Sequence, residues 1–399
     1  MLSVVGVAGC GHRTEGETMD GFAARCEGLV DLLRGEAAAA EAQRRVSERV
    51  MEAAHEADLF RAVVPSSLGG RAEPLDELLH GTRTLAHGCV ASAWTVSFLV
   101  MHGWLLSKFP TAGVAETFAA HPAPLAPAPL APTGTITPTD GGVVLNGSWE
   151  WATGVNHAEW VMVHALQTEP HFAMKFCVVP IGEVTVDDVW FTSGMRATGS
   201  NTVRADNLFV PEHRTLDARA LLDSTVAVSG DSLAGLPVAA VLALLAAAPA
   251  LGGAEWAVEL YEERLRTRVL AYSLGDKATD QPAAQIRLST ARAELRQARD
   301  HFDATIARLV AAAAAGEVSL GVRVDTRLAA AAIVRSARSV VNTVCEGAGA
   351  SVYRTDHPLQ RIQRDLETLK GHVIFDWDRT AELAGRIALG LELRPADMV

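Results

Sequence analysis

Apolar positions change rhythm twice along the chain. Through residues 20–120 they recur at helical spacing, as expected of helices with one buried face. Ala38 to Ala57 reads as one helix rich in alanine, glutamate and arginine. Glu73 to Phe109 reads as a second long helical stretch, broken by Pro110. Residues 121–133 (HPAPLAPAPLAPT) are proline-rich and extended, and they mark a boundary. From Gly134 to about Arg214 come short apolar runs (GGVVLNGSW, WVMVHAL, FAMKFCVVP, VTVDDVWFT, VRADNLFVP) with turns roughly every 8 to 12 residues, the spacing of strands. Asp140-Gly-Gly142 and Asn146-Gly147 read as hairpin turns. From about residue 234 the helical rhythm returns. Ala291, Leu295, Ala298, Phe302, Ile306 and Leu309 define one helix face, and further helices are expected over about 325–347 and 359–390. The run Leu236 to Gly253 approaches membrane-span length, but Pro237, Pro249 and its many alanines favour a buried bundle helix.

The expected architecture is mainly α with a central β-barrel domain. Residues 1–18 are expected outside the fold, Met19 being the more typical start. An N-terminal helical domain spans 19–120, a β-sandwich or barrel 121–230, and a four-helix bundle 231–399.

Composition narrows the function classes. A chain of 399 residues with 49% hydrophobic and 21% charged residues suits a soluble globular enzyme of two or three domains. The net charge of -12, dispersed, argues against a nucleic-acid partner. Cys10, Cys26, Cys89, Cys177 and Cys345 are scattered, with no CxxC pair, so no metal site or disulfide framework is implied and a reducing cytoplasm fits. Met1 to Cys10 lacks the basic start of a signal peptide. Neither a GxxxxGK loop nor a GxGxxG after a strand is present, which argues against a nucleotide-binding α/β fold.

Two segments of the sheet block carry candidate chemistry. One is Gly147-Ser-Trp-Glu-Trp-Ala-Thr-Gly154, continuing to Trp160. The other is Gly194-Met-Arg-Ala-Thr-Gly-Ser-Asn-Thr202, continuing to Val210. Flat side chains beside glycines and small hydroxyls suit a planar ring held edge-on, since Thr153, Thr198 and Ser200 can each donate and accept. Trp149 and Trp151, two residues apart on a strand, are expected to share a face.

These two segments resemble the flavin-facing strand and the R-x-T-G-S strand of the acyl-CoA dehydrogenase superfamily. Ser92-Ala-Trp94 with His102-Gly-Trp104 is similar to a helical motif of its monooxygenase branch. Pro358-Leu-Gln-Arg-Ile-Gln-Arg-Asp365, followed by Gly371-His-Val-Ile-Phe-Asp-Trp-Asp378, resembles its C-terminal signature. The resemblance spans residues 25–390 and is nearest to the oxygenase components of two-component flavin-dependent monooxygenases.

The resemblance implies an oxygenase that takes reduced FAD or FMN from a separate reductase. It would react the flavin with O2 to a C4a-hydroperoxide and hydroxylate a small phenolic or polycyclic aromatic. FAD is favoured only because the superfamily commonly uses it. A homotetramer is implied. His372 would serve the oxygen-reactive side of the flavin, an imidazole being able to donate or accept near neutrality. Thr153 would sit beside flavin N5, where serine is more usual in the monooxygenases. Trp151 would flank the ring. Arg196, Thr198 and Ser200 would hold ribityl or phosphate groups, and Arg268 a neighbouring subunit's flavin. His102 and Trp104, with His157, would line the substrate pocket. For Arg268 the plainer reading is a solvated basic helix face; for His157 it is a structural histidine. Asp356 falls where many acyl-CoA dehydrogenases carry their catalytic glutamate. It keeps a dehydrogenase reading open beside N-oxygenation of an amino sugar or indole, and a non-catalytic scaffold. Its plainer role is a loop or N-cap aspartate before Pro358.

Overall fold

In a computed structural model, residues 21–271, 273–394, 397 and 399 are described. Residues 1–18, expected outside the fold, lie outside the described residues. Six helices come first: α1 Phe22–Glu27, α2 Val30–Gln43, α3 Glu48–Glu56, α4 Leu75–Leu85, α5 Val90–Leu106 and α6 Thr111–Thr117. The single helix expected over Ala38–Ala57 is two. Arg44 turns left-handed at φ 55°, and the Ser47 hydroxyl caps α3 by accepting from the Val50 amide. The stretch 73–109 also divides. At the break, a Cβ on Gly88 would lie 2.5 Å from that of Leu33, so glycine lets α2 close in. Helix α5 is buried at every residue except Phe98, which makes it the central strut of the molecule.

Seven strands follow: β1 Gly134–Thr139, β2 Gly142–Ala152, β3 Trp160–Gln167, β4 Ala173–Pro180, β5 Thr185–Asp187, β6 Asn201–Pro211 and β7 Thr215–Asp217. They form one sheet in the order β5-β6-β2-β1-β3-β4-β7, antiparallel except between β1 and β3. The sheet is open, not the expected barrel. Its edges, β5 and β7, are three residues each and pair on one side only, which leaves no ladder to close it. Asp140-Gly141 makes the β1–β2 turn, with Gly141 at φ 75°. Asn146-Gly147 is no hairpin: it lies inside β2 at a register shift. Gly134 and Gly147 instead clear a path for the fully buried Trp149 ring, whose indole donates to the His164 carbonyl at 2.8 Å. A second shift, between Trp149 and Ala152, turns Trp151 outward at φ 64° and 59% exposure, so the two tryptophans do not share a face.

The short α7 (Ala218–Leu222) leads to α8 (Val238–Thr267), α9 (Pro282–Ala314) and α10 (Leu320–Ala348). The predicted α9 stripe is buried as expected. Helices α8 and α10 are long and apolar enough to cross a membrane, yet 94% of the most apolar window of α8 is buried in the bundle. The helix expected over 359–390 is two, α11 Pro358–Leu369 and α12 Trp377–Ala388, with His372 in the break. The segment before α8 is pinned just past the end of α5 by a buried pair, Lys108 with Asp231, whose side chains are 2% and 0% exposed.

A methyl added at Gly134 would meet Trp149 Cζ2 at 2.1 Å. Gly134→Ala is expected to lower the unfolding free energy by about 1–3 kcal/mol in chemical denaturation.

Candidate functional site

The site is built on one face of α5. Trp94, Phe98 and His102 recur every fourth residue, so their rings meet along successive turns, the first pair tilted and the second edge-on, with centroids 4.6 and 5.7 Å apart. Phe98 is where this face opens. The ladder continues to the α11–α12 break, where the His372 ring meets Trp94 edge-on at 5.6 Å. Aromatic character and low polarity suit this wall to an aromatic guest.

The two end histidines differ in what they offer. His102 is buried, and its Nδ1 lies 2.7 Å from the Ala126 carbonyl. A carbonyl only accepts, so Nδ1 carries the hydrogen and Nε2 is left with a lone pair. His372 Nδ1 accepts from the Ile374 amide at 3.3 Å, so its hydrogen sits on Nε2. Desolvation lowers both pKa values to about 4. His372 keeps an open face to water, which tempers the effect without reversing it. Both rings are neutral at pH 7, one presenting an acceptor and the other a donor.

Opposite α5, two tight turns are stitched together. Gly154 donates from its amide to the Thr198 carbonyl at 2.9 Å. A Cβ on Gly154 would touch Thr95 and Leu99 of α5 at 3.0 Å, so the turn lies on the helix. The Thr153 hydroxyl is 2.9 Å from that of Ser200, which is 2.7 Å from that of Thr198. The exposed Trp151, in a backbone conformation costly for a bulky residue, stands two residues before Thr153. An exposed indole beside a hydroxyl row fits the face and edge of a flavin ring. Trp151 would hold the ring and Thr153 its edge.

The turn 194–200 is anchored from outside the sheet. Asp365 of α11, 4% exposed, accepts from the Met195 amide at 2.6 Å. Burial raises its pKa to about 7 against the opposing pull of that amide. Arg361 and Arg364 reach Glu41 of α2 at 2.9 and 2.5 Å. Although burial works to raise the Glu41 pKa, these hydrogen-bonded guanidiniums lower it. Arg364 also donates to the Ser193 carbonyl at 2.6 Å. Arg196 is spent on the Glu41 and Thr192 carbonyls, each at 3.2 Å.

Other expected residues are placed elsewhere. Trp104 faces away from the ladder and donates its indole N–H to Asp231 at 2.9 Å. His157 packs against the α2–α3 turn, 3.8 Å from Glu48, and burial lowers its pKa. Arg268 is not a solvated face: it donates to the Gly347 carbonyl at 3.0 Å and, with Arg264 on Ala348, closes the end of α10. Asp356, its side chain 67% exposed, pairs with Arg354 at 3.0 Å, and that hydrogen bond lowers its pKa; this is not the environment of a catalytic base. A surface cleft between His55, Arg61 and His121 lies apart from the ladder, and its charges are already paired with Asp58 and Glu159. Phe98 and Asp365 were not expected in the site. The four-residue recurrence of rings on α5 was the available signal for Phe98.

The acyl-CoA dehydrogenase C-terminal domain family model matches residues 244–377. The oxygenase subunit HsaA of a flavin-dependent monooxygenase from Mycobacterium tuberculosis is 28% identical, over 92% of this chain and 95% of that protein. The oxygenase component of an FADH2-dependent resorcinol hydroxylase from a Rhizobium species is 26% identical, over 92% and 94%. The structure of XiaF from a Streptomyces species, in complex with FADH2 and glycerol, superposes with a TM-score of 0.88 at 25% identity, over 95% and 97%. Residues 244–377 thus match an acyl-CoA dehydrogenase C-terminal domain, and over nearly its whole length the chain is similar to the oxygenase components of flavin-dependent monooxygenases.

Asp365 gives the anchor a pH signature. Its folded pKa, about 7, lies above the ordinary carboxylate value of 3.8, so folding takes up a proton between those values. Its contribution is fully present below pH 4 and is lost as pH rises toward 7. Asp365→Asn keeps an acceptor for Met195 and cannot ionise. The stability of the variant relative to the parent, by urea denaturation, is expected to rise steadily from pH 4 to pH 7 and level off above.

Proposed function

We infer that this chain is the oxygenase component of a two-component monooxygenase, using reduced flavin from a separate reductase and O2 to hydroxylate a small aromatic. The observation that carries this reading is the ring ladder on α5, ended by two neutral histidines, with a hydroxyl row beside a turn that packs on the same helix at Thr95 and Leu99. Bound reduced flavin would supply the electrons that activate O2. The chain's own contribution is placement and exclusion of water. Trp94 and Phe98 offer an aromatic, apolar wall to the substrate ring. His102 Nε2 accepts the hydrogen of a phenol hydroxyl, and His372 Nε2 offers a hydrogen at the other end. Neither ring needs to change charge near pH 7 to do so. The four described cysteines are free and buried, which supports work in a reducing cytoplasm.

Anaerobic protein loaded with reduced FAD or FMN, mixed with isotopically labelled O2 and a candidate phenol, is expected to place the label in the product. Label arriving from water would overturn the reading. His372→Ala is expected to lower product yield about a hundredfold and raise hydrogen peroxide correspondingly, while reduced-flavin binding holds within about threefold.

The assembly we propose is a homotetramer. Val269, Leu274 and Ile286, between 58% and 107% exposed, leave an apolar region by the α8–α9 turn that suits subunit contact. Light scattering is expected to return about four times the chain mass of 42.2 kDa; a monomer would refute it.

A further inference from the structure

We propose that the hydroxyl row Thr198–Ser200–Thr153 is polarised in one direction, and that this direction makes the site favour reduced over oxidised flavin. The inference rests on the reading that flavin lies against Thr153. It assigns Thr198 and Ser200 as positioning residues acting through Thr153, rather than as holders of ribityl or phosphate groups.

The polarity starts at the Met195 carbonyl. A carbonyl oxygen has lone pairs and no hydrogen, so the Thr198 hydroxyl, 2.9 Å away, must donate to it. That spends the only hydrogen of Thr198. The Ser200 hydroxyl, 2.7 Å from Thr198 Oγ1, therefore donates to Thr198. With its hydrogen spent in turn, Ser200 accepts from Thr153 at 2.9 Å. Thr153 is left with lone pairs alone to turn toward the cleft. Reversing the row would set the Thr198 oxygen and the Met195 carbonyl face to face with no hydrogen between them.

The starting point is rigid. Met195 is held in the left-handed region at φ 53°, with its amide on the Asp365 carboxylate at 2.6 Å. Its carbonyl also collects the Trp190 indole at 2.9 Å and the Thr198 amide at 3.2 Å. Thr198 and Ser200 are 2% and 5% exposed, which leaves little room for water to supply a substitute hydrogen.

An isoalloxazine changes sign at one edge atom on reduction. N5 bears a lone pair when oxidised and an N–H when reduced. A hydroxyl free to rotate would satisfy either form. Thr153, with its hydrogen tied back to Ser200, pairs with the N–H and opposes the lone pair. One neutral hydrogen bond of this kind amounts to about threefold to tenfold in affinity.

The test is anaerobic titration with oxidised FAD and with FADH2, followed by flavin or protein fluorescence, giving two dissociation constants and their ratio. The parent chain is expected to prefer FADH2. Ser200→Ala frees the Thr153 hydrogen, and Thr198→Val frees that of Ser200. Each is expected to reduce the preference by about threefold to tenfold, chiefly by improving the binding of oxidised FAD. Thr198→Ser keeps the row and is expected to keep the ratio. If both breaking variants bind both forms with the parent's ratio, the polarity is wrong while the flavin reading stands. If the parent binds neither form, the flavin reading falls and the inference with it.

Discussion

The hydrogen bond from the Met195 amide to the buried carboxylate of Asp365 is the joint on which this site depends. It ties the R-x-T-G-S turn of the sheet to α11 across 170 positions of sequence. Everything on the hydroxyl side of the cleft inherits its position from that turn. Thr198 folds back on Met195, Ser200 leans on Thr198, and the amide of Gly154 is held by the Thr198 carbonyl. The left-handed backbone at Met195 is a local cost, and a single charge-assisted bond is enough to offset it. The neighbouring Arg361 and Arg364 make their ion pairs with Glu41, and the hydrogen-bond partner of the Asp365 carboxylate is the Met195 amide.

The other wall answers to a different constraint. Helix α5 is buried almost all round, so its ring residues have little freedom to move, and the histidine at each end has its ring fixed by one backbone contact. That contact decides the tautomer, and the tautomer decides what the free nitrogen offers. The same logic governs Thr153 on the opposite wall. A polar group is directed by the partner behind it, and for these two histidines that partner is a backbone carbonyl or amide.

Much of this was legible in sequence and some was not, for identifiable reasons. The helix–sheet–helix order, the buried α8 and the α9 stripe follow from periodicity, which local spacing records faithfully. Whether a sheet closes depends on its edge strands; the run VTVDDVWFT announced β5 but not that it stops after three residues, and β7 is too short to show a pattern. The bulge after Trp149 slipped the register and sent Trp151 to the opposite side, a change that alternation alone cannot foresee. Residue type singled out Thr153, Thr198, Ser200, His102 and His372, and the fold brings the three hydroxyls into one row and the two histidines to the ends of one ring ladder. It could not see the partners of Trp104 and Arg268, Asp231 and Gly347, which lie far along the chain. It could not find Asp365 as an anchor, since only the fold brings Met195 to it.

The pKa pattern separates chemistry from geometry. Burial holds His102 neutral from mildly acidic pH upward, and desolvation pushes His372 in the same direction although that ring keeps a face to water. Asp365, at about 7, is the group near the cleft that does respond near neutrality. Protonation weakens it as an acceptor for the Met195 amide, and it touches neither substrate nor flavin in the proposed arrangement. Through Asp365, a pH change near neutrality would reach the position of the 194–200 turn. It would be felt in how firmly the hydroxyl row is held rather than in the acid–base state of the groups that meet the guest.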